Sequence, residues 1–175
     1  MIHEYIKGDL AVFIDASNIY HSQKTLGWKV DYIKLIEYLK AEAKQAGYIV
    51  SATHFYTGVS PEDTKQKGFL TILQNAGYII HSKELKIIQN RDGGILKKGN
   101  LDVELTLDAY RWREDYRDII LFSGDSDFAQ LVDLLKIKGK MVLVCSTRNH
   151  VSIELIQRVK FIDLDKLRGF IQKDE

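Results

Sequence analysis

The sequence predicts a three-layer α/β/α fold around a mainly parallel central sheet. Two short apolar runs, Leu10 to Ile14 and Ile119 to Phe122, each stop at a polar turn, Asp15-Ala16-Ser17-Asn18 and Ser123-Gly124-Asp125-Ser126-Asp127. Short continuous apolar runs of this kind suit strands buried on both faces. Further strand patterns alternate with helix-periodic stretches along the chain, which is the order of a doubly wound sheet. The chain of 175 residues is long enough for one domain with a real core and short for two. A single domain over residues 1–175 is therefore expected, with an irregular insertion around 83–100.

The elements follow from local signals. After the first strand, Ile19 to Leu26 reads as a short helix ending at Gly27. Asp31 is placed to cap a second helix, with apolar positions Ile33, Ile36, Tyr38 and Leu39, closing at Gly47. Tyr48 to Tyr56 is rich in β-formers and reads as strand two. Ser60-Pro61-Glu62-Asp63 signals a helix start, with the helix running to Asn75 and stopping at Gly77. Tyr78 begins a third strand, and Lys83 to Gln89 is a further β-like segment. Asn90 to Gly94 contains Asp-Gly and suggests a hairpin or a flexible loop. A helix from Leu101 to about Tyr116 leads into Ile119 to Phe122, and another begins at Phe128. Lys140 to Cys145 is strand five, His150 to Arg158 a helix, and Phe161 to Leu164 a last strand before a terminal helix from Asp165.

Composition narrows the function classes. A hydrophobic share of 45% with 28% charged residues is ordinary for a globular protein. The net charge of +1 gives no global basic signal, so nucleic-acid contacts would come from local patches. The one cysteine, Cys145, excludes an intramolecular disulfide framework and a Cys-based zinc cluster, and its apolar neighbours place it in the core. His21, His54, His81 and His150 lack metal-ligand spacing. No apolar stretch approaches membrane-spanning length and no signal-peptide core is present, so a soluble cytoplasmic protein is expected.

The chemistry points to carboxylates. Asp15, Asp102, Asp125 and Asp127 all stand where strands end or helices begin. In a parallel sheet the strand carboxyl ends share one edge, so Asp15 and Asp125 converge if their strands are neighbours. Two carboxylates about 4 Å apart repel by roughly 4 kcal/mol at an effective dielectric near 20. A hard divalent ion such as Mg²⁺ or Mn²⁺ relieves that repulsion and stabilises charge developing on a phosphodiester. Each acid also has a plainer reading as a helix cap or first-turn acid. Asp125 is the hardest to dismiss in that way, because Ser123 and Ser126 already offer caps. Asp108 lies about 120° round the helix from Asp102 and is a second-tier candidate. Asn18, Ser123 and Ser126 can orient water or bind phosphate oxygens. Lys97, Lys98 and Arg91, with Lys83 and Lys86, form a basic set that can hold a polyanion or simply face solvent. Tyr20, Tyr56 and Trp112 are candidate stacking residues or core packing.

Three blocks carry a family resemblance: FIDASNIY at Phe13 to Tyr20, KGNLDVELTLDAY at Lys98 to Tyr110, and SGDSDFAQLVDLLKIKGKMV at Ser123 to Val142. Together with FIDL at Phe161 to Leu164 they resemble the NYN domains of the LabA-like group, within the PIN-like nuclease superfamily. The resemblance implies a PIN-like, Rossmannoid fold and a metal-dependent ribonuclease using Mg²⁺ or Mn²⁺. It implies metal-binding acids at Asp15, Asp102, Asp125 and Asp127, and polar site positions at Asn18 and Ser123. Val159-Lys160 departs from it, since many relatives carry an acid just before the terminal FIDL.

The leading expectation is thus an endoribonuclease that hydrolyses RNA phosphodiester bonds. A non-catalytic RNA-binding or regulatory module retaining the fold is the alternative. A haloacid-dehalogenase phosphatase requires a second acid two positions after Asp15, where Ser17 stands, and a receiver domain requires its acidic pair near strand one. RNA is the expected partner, no membrane is, and a homodimer is left open.

Overall fold

The computed structural model describes residues 2–89 and 95–174, with the backbone alone for 86–89 and 95–98. Six parallel strands form the central sheet: β1 (Leu10–Asp15), β2 (Val50–Val59), β3 (Ile79–Glu84), β6 (Asp118–Phe122), β7 (Met141–Ser146) and β8 (Lys160–Asp163), in the order β3-β2-β1-β6-β7-β8. Strands β4 (Lys86–Gln89) and β5 (Ile95–Lys98) form a separate antiparallel hairpin. The expected three-layer α/β architecture is the observed one.

Both central strands, β1 and β6, are buried along their whole length. Their alternating side chains feed two cores. Val12, Ile14, Ile120 and Phe122 pack against α1 (Ala16–Leu26), α2 (Tyr32–Gln45), α3 (Thr64–Asn75) and α7 (Arg168–Ile171). Ala11, Phe13, Ile119 and Leu121 pack against α4 (Asp102–Arg111), α5 (Ala129–Ile137) and α6 (Ile153–Arg158). Each fully buried large apolar side chain stabilises the fold by roughly 1.5–3 kcal/mol. A charge cannot easily replace any of them, so polar chemistry is confined to the strand ends.

The topology fixes where that chemistry sits. The chain winds outward in one direction from β1 through β2 to β3, then returns to place β6 on the other side of β1. The junction between β1 and β6 is the point where strand order reverses, and a crevice opens there at the carboxyl ends.

Several boundaries differ from the sequence expectation, each for a local reason. Helix α1 begins at Ala16, since Asp15 is its N-cap and accepts from the Ser17 and Asn18 N–H groups. The cap of α3 is Asp63 rather than Ser60, with its carboxylate accepting from Gln66 N. Helix α4 ends at Arg111 and is followed by a 3-10 turn, Arg113–Asp115. Ser126–Phe128 is a 3-10 turn, so α5 starts at Ala129. Ser152 caps α6, while His150 belongs to the preceding turn and donates its N–H to the Thr147 carbonyl. Asp31 caps α2 as expected, and Gly47 adopts φ 86° after it. Cys145 is fully buried and its thiol pKa is pushed well up by desolvation. No helix among the described residues is long and apolar enough to cross a membrane.

Candidate functional site

The crevice predicted by the topology is a cleft of about 1180 Å³ whose lining includes Asp15, Asn18, Asp102 and Asp125. Carboxylate oxygens of Asp102, Asp125 and Asp127 all lie within 4.8 Å of one another. Two separate features of the chain produce that meeting. Asp125 and Asp127 occupy the turn after β6, and Asp102 opens α4, which begins at the same edge of the sheet.

Each acid is held by its own local structure. Asp125 accepts the Asp127 N–H at 3.0 Å and caps the 3-10 turn. The cap thus comes from Asp125, where the sequence offered Ser123 and Ser126 for that task. Asp102 N–H donates to the Asn100 side-chain oxygen at 2.8 Å, which fixes the first turn of α4. The carboxyl pKa of Asp102 is raised, first by burial and further by the charges of Asp15, Asp125 and Asp127, against a lowering hydrogen bond with Asn100.

Asp15 lies outside the 4.8 Å group but lines the same cleft. It is buried, and its Oδ1 accepts from Ser17 N at 3.1 Å, Ser17 Oγ at 2.7 Å and Asn18 N at 3.2 Å. Its Oδ2 accepts from Ser123 Oγ at 3.0 Å. Asp15 therefore acts as a helix cap and contributes negative charge to the acid cluster at the same time.

The supporting polar residues divide. Ser123 is buried between Asp15 and the Asp125 backbone N–H. Asn18 accepts from Gly124 N at 3.0 Å and from Ser146 Oγ at 3.4 Å, tying α1 to the ends of β6 and β7. Gly124 passes so close to the loop after β7 that an added Cβ would overlap the His150 carbonyl. Ser126 is exposed on the 3-10 turn. Asp108 is not brought to the cluster. It accepts from Tyr56 Oη at 3.2 Å and lies 3.6 Å from His81 Nδ1 and 3.4 Å from Arg111 Nη1, so six helical positions carried it away from Asp102 as the 120° offset implies. Arg91 lies outside the described residues, as do the side chains of Lys97 and Lys98. Of the three aromatic candidates, Tyr20 is exposed on the cleft, Tyr56 is buried, and Trp112 stacks on His54 with ring centroids 4.6 Å apart.

Sequence reasoning missed Asn100 and the glycine pair Gly58 and Gly99. The two backbones approach closely, and an added Cβ on either would meet the Leu85 side chain. Leu85 N–H donates to the Val59 carbonyl at 2.9 Å. The base of the β4–β5 hairpin is thereby seated against β2, just before Asp102. The Lys-Gly-Asn run before the helix was the available signal, since Gly in such a connection marks a close backbone approach.

A buried-strand edge, a switch-point crevice and convergent carboxylates define a PIN-like α/β fold. The NYN domain family matches residues 9–165, and the chain belongs to that family. NYN domains fall within the PIN-like nuclease superfamily. The chain is 34% identical over 170 residues to the Low amplitude and bright protein LabA of Synechococcus elongatus, covering 95% of this chain and 89% of that protein. It is also similar to the crystal structure of a protein of unknown function from Vibrio parahaemolyticus. That similarity has a TM-score of 0.75 at 29% identity and covers 96% of this chain and 98% of the other.

Hard carboxylate oxygens at this separation are a donor set suited to Mg²⁺ or Mn²⁺. The Asp102 carboxyl pKa is raised by burial first and then by its acidic neighbours, and a cation held among these oxygens would offset both penalties on the charged form. The residues present therefore fit a divalent ion.

Proposed function

We propose that this chain is a Mg²⁺- or Mn²⁺-dependent ribonuclease that hydrolyses RNA phosphodiester bonds in the cytoplasm. The observation that supports it most is the convergence of Asp102, Asp125 and Asp127 at the β1–β6 junction of an NYN domain, where Asp102 and Asp125 line the cleft. These three acids would hold the cation, with Asp15 beside them. A cation bound there supplies positive charge to the phosphodiester and makes a water more acidic. Asn100 and the Asp125 cap keep the carboxylates oriented, so the site is preorganised by its own backbone. Ser123 keeps Asp15 desolvated but hydrogen-bonded. Lys97 and Lys98 are assigned to the phosphate backbone because β5 leads directly into the Asp102 helix, and Arg91 joins them on its place in the sequence alone.

The test is cleavage of RNA by protein purified in parallel as wild type and Asp125→Asn. Cleavage that requires Mg²⁺ or Mn²⁺ and falls by at least roughly 100-fold in the variant is the expected result, the loss of one charged contributor to phosphoryl-transfer chemistry. Equal residual activity in both preparations would reject it. RNA binding without cleavage and without metal dependence would instead support a non-catalytic RNA-binding module.

A further inference from the structure

The cleft extends past the acids to a wall that the cation chemistry does not use. Phe69 on α3 lines this arm and leaves 39% of its surface exposed. Its ring is held edge-on by Tyr32, with centroids 5.9 Å apart, and by Phe55 at 6.3 Å. Tyr32 and Phe55 are themselves buried and in contact edge-on at 5.1 Å. The exposed ring is thus braced from behind by two fixed rings, which lowers the entropy lost when something stacks on it.

Lys29 and Lys173 line the same cleft. Their backbones are joined by a hydrogen bond of 2.9 Å from Lys173 N to the Lys29 carbonyl. Neither ammonium group has a carboxylate partner among the described residues. Asp63 also borders the cleft, but its carboxylate caps α3. A braced π-face in one cleft with two lysines that have no carboxylate partner among the described residues, continuous with a phosphodiester site, matches a flat apolar base carried on an anionic backbone.

We propose that the α2–α3 arm of the cleft is a nucleobase subsite, with Phe69 as its stacking platform and Lys29 and Lys173 holding the adjacent phosphate. The subsite takes an unpaired base from a nucleotide neighbouring the bond to be cut, and in this it rests on the ribonuclease reading. Base–aromatic stacking contributes about 1–3 kcal/mol per base, or roughly 5- to 150-fold in affinity. A helix-borne ring reads every base face alike, so the subsite selects for an unstacked base rather than for a sequence.

The experiment is a substrate and side-chain cycle. Fluorescence anisotropy in Ca²⁺ measures binding of a short single-stranded RNA and of a set with one abasic nucleotide moved along it. Wild type, Phe69→Ala and Phe69→Trp are compared. Phe69→Ala is expected to weaken the intact RNA by about 10-fold or more, and Phe69→Trp to restore it. One abasic position is expected to weaken wild type by a similar factor and to make no further difference in Phe69→Ala. Equal binding of intact RNA by wild type and Phe69→Ala overturns the subsite, and so do independent, multiplying losses at every abasic position. A Mn²⁺ titration of wild type separates the two readings: absence of Mn²⁺ binding rejects the cation site, while anisotropy still decides the subsite.

Discussion

Ser123 and Asp15 meet across the two central strands, with the serine hydroxyl donating to Asp15 Oδ2 at 3.0 Å. Both side chains are buried, and the same hydroxyl accepts the Asp125 N–H at 3.3 Å. The contact links the cap of α1 to the turn that carries two of the clustered acids.

Substitutions at this pair separate structure from charge. Ser123→Ala leaves a buried carboxylate oxygen without its donor, and a loss of about 1–3 kcal/mol in urea unfolding is expected. Asp15→Asn keeps a good N-cap residue, so stability should change by no more than about 1 kcal/mol. Its Mn²⁺ affinity should still fall by roughly 10- to 100-fold, the range for groups that support metal ligands. Unchanged calorimetric Mn²⁺ binding in Asp15→Asn would remove that residue from the site.

The seat of the β4–β5 hairpin gives a second test. An alanine at Gly99 collides with the Leu85 side chain while the Gly58 Cα stands 3.4 Å away on the other side. Overpacking of this kind costs about 1–3 kcal/mol and displaces the segment that delivers Asp102. Gly99→Ala should therefore weaken Mn²⁺ binding, and Gly99→Ala/Leu85→Ala should recover it. A double variant as weak as the single one would show that Leu85 is not the obstacle.

The pH dependence follows from Asp102. Its folded pKa lies above the unfolded one, chiefly through burial, so the folded apo protein holds this proton more tightly. The associated stabilisation is present below the unfolded pKa and is lost as pH rises through the folded pKa. Cation binding runs the other way, since it needs the charged form. Mn²⁺ should raise the melting temperature most near neutral pH, and as pH falls its effect should begin to fade while the pH is still above the ordinary carboxylate range. A Mn²⁺ shift that stays constant down to pH 4 would contradict this coupling.

His54 contributes an opposite acid response. Burial, aided by His81, pushes its pKa down to about 4, and its Nδ1 lies 3.1 Å from His81 Nε2. The folded protein therefore binds this proton less well than the unfolded chain, and stability is lost as pH falls from about 6.5 toward 4. The ring stacks on Phe13 and Trp112, with centroids 4.6 Å apart in each case. His54→Phe keeps an aromatic ring in that stack and removes the titration. Its melting temperature should drop less between pH 7 and pH 5 than that of wild type, and parallel curves would refute the assignment.

The fold was legible where one local pattern decided the outcome. The buried runs before Asp15 and Ser123 identified the central strands, and the polar turns after them identified the edge where Asp125 and Asp127 gather. Boundaries were less legible where two caps competed. Ser60 and Asp63 are both acceptable, and the choice of Asp63 shows only in its bond to Gln66 N. Long-range contacts left no periodic signal at all. The bond from Ser146 to Asn18 spans 128 positions, and the Gly58–Gly99 approach depends on how β2 and the hairpin meet. Asp102 reached the cluster because its helix starts at the carboxyl edge, a placement that the resemblance of the KGNLDVELTLDAY block implied and that no local periodicity carried.

A crystal structure of the protein soaked in Mn²⁺ tests the central claim most directly. The account predicts anomalous density in contact with carboxylate oxygens of Asp102, Asp125 and Asp127, lost in an Asp125→Asn crystal treated identically. Those three carboxylates together without Mn²⁺ between them, at a concentration that loads other sites, would contradict it.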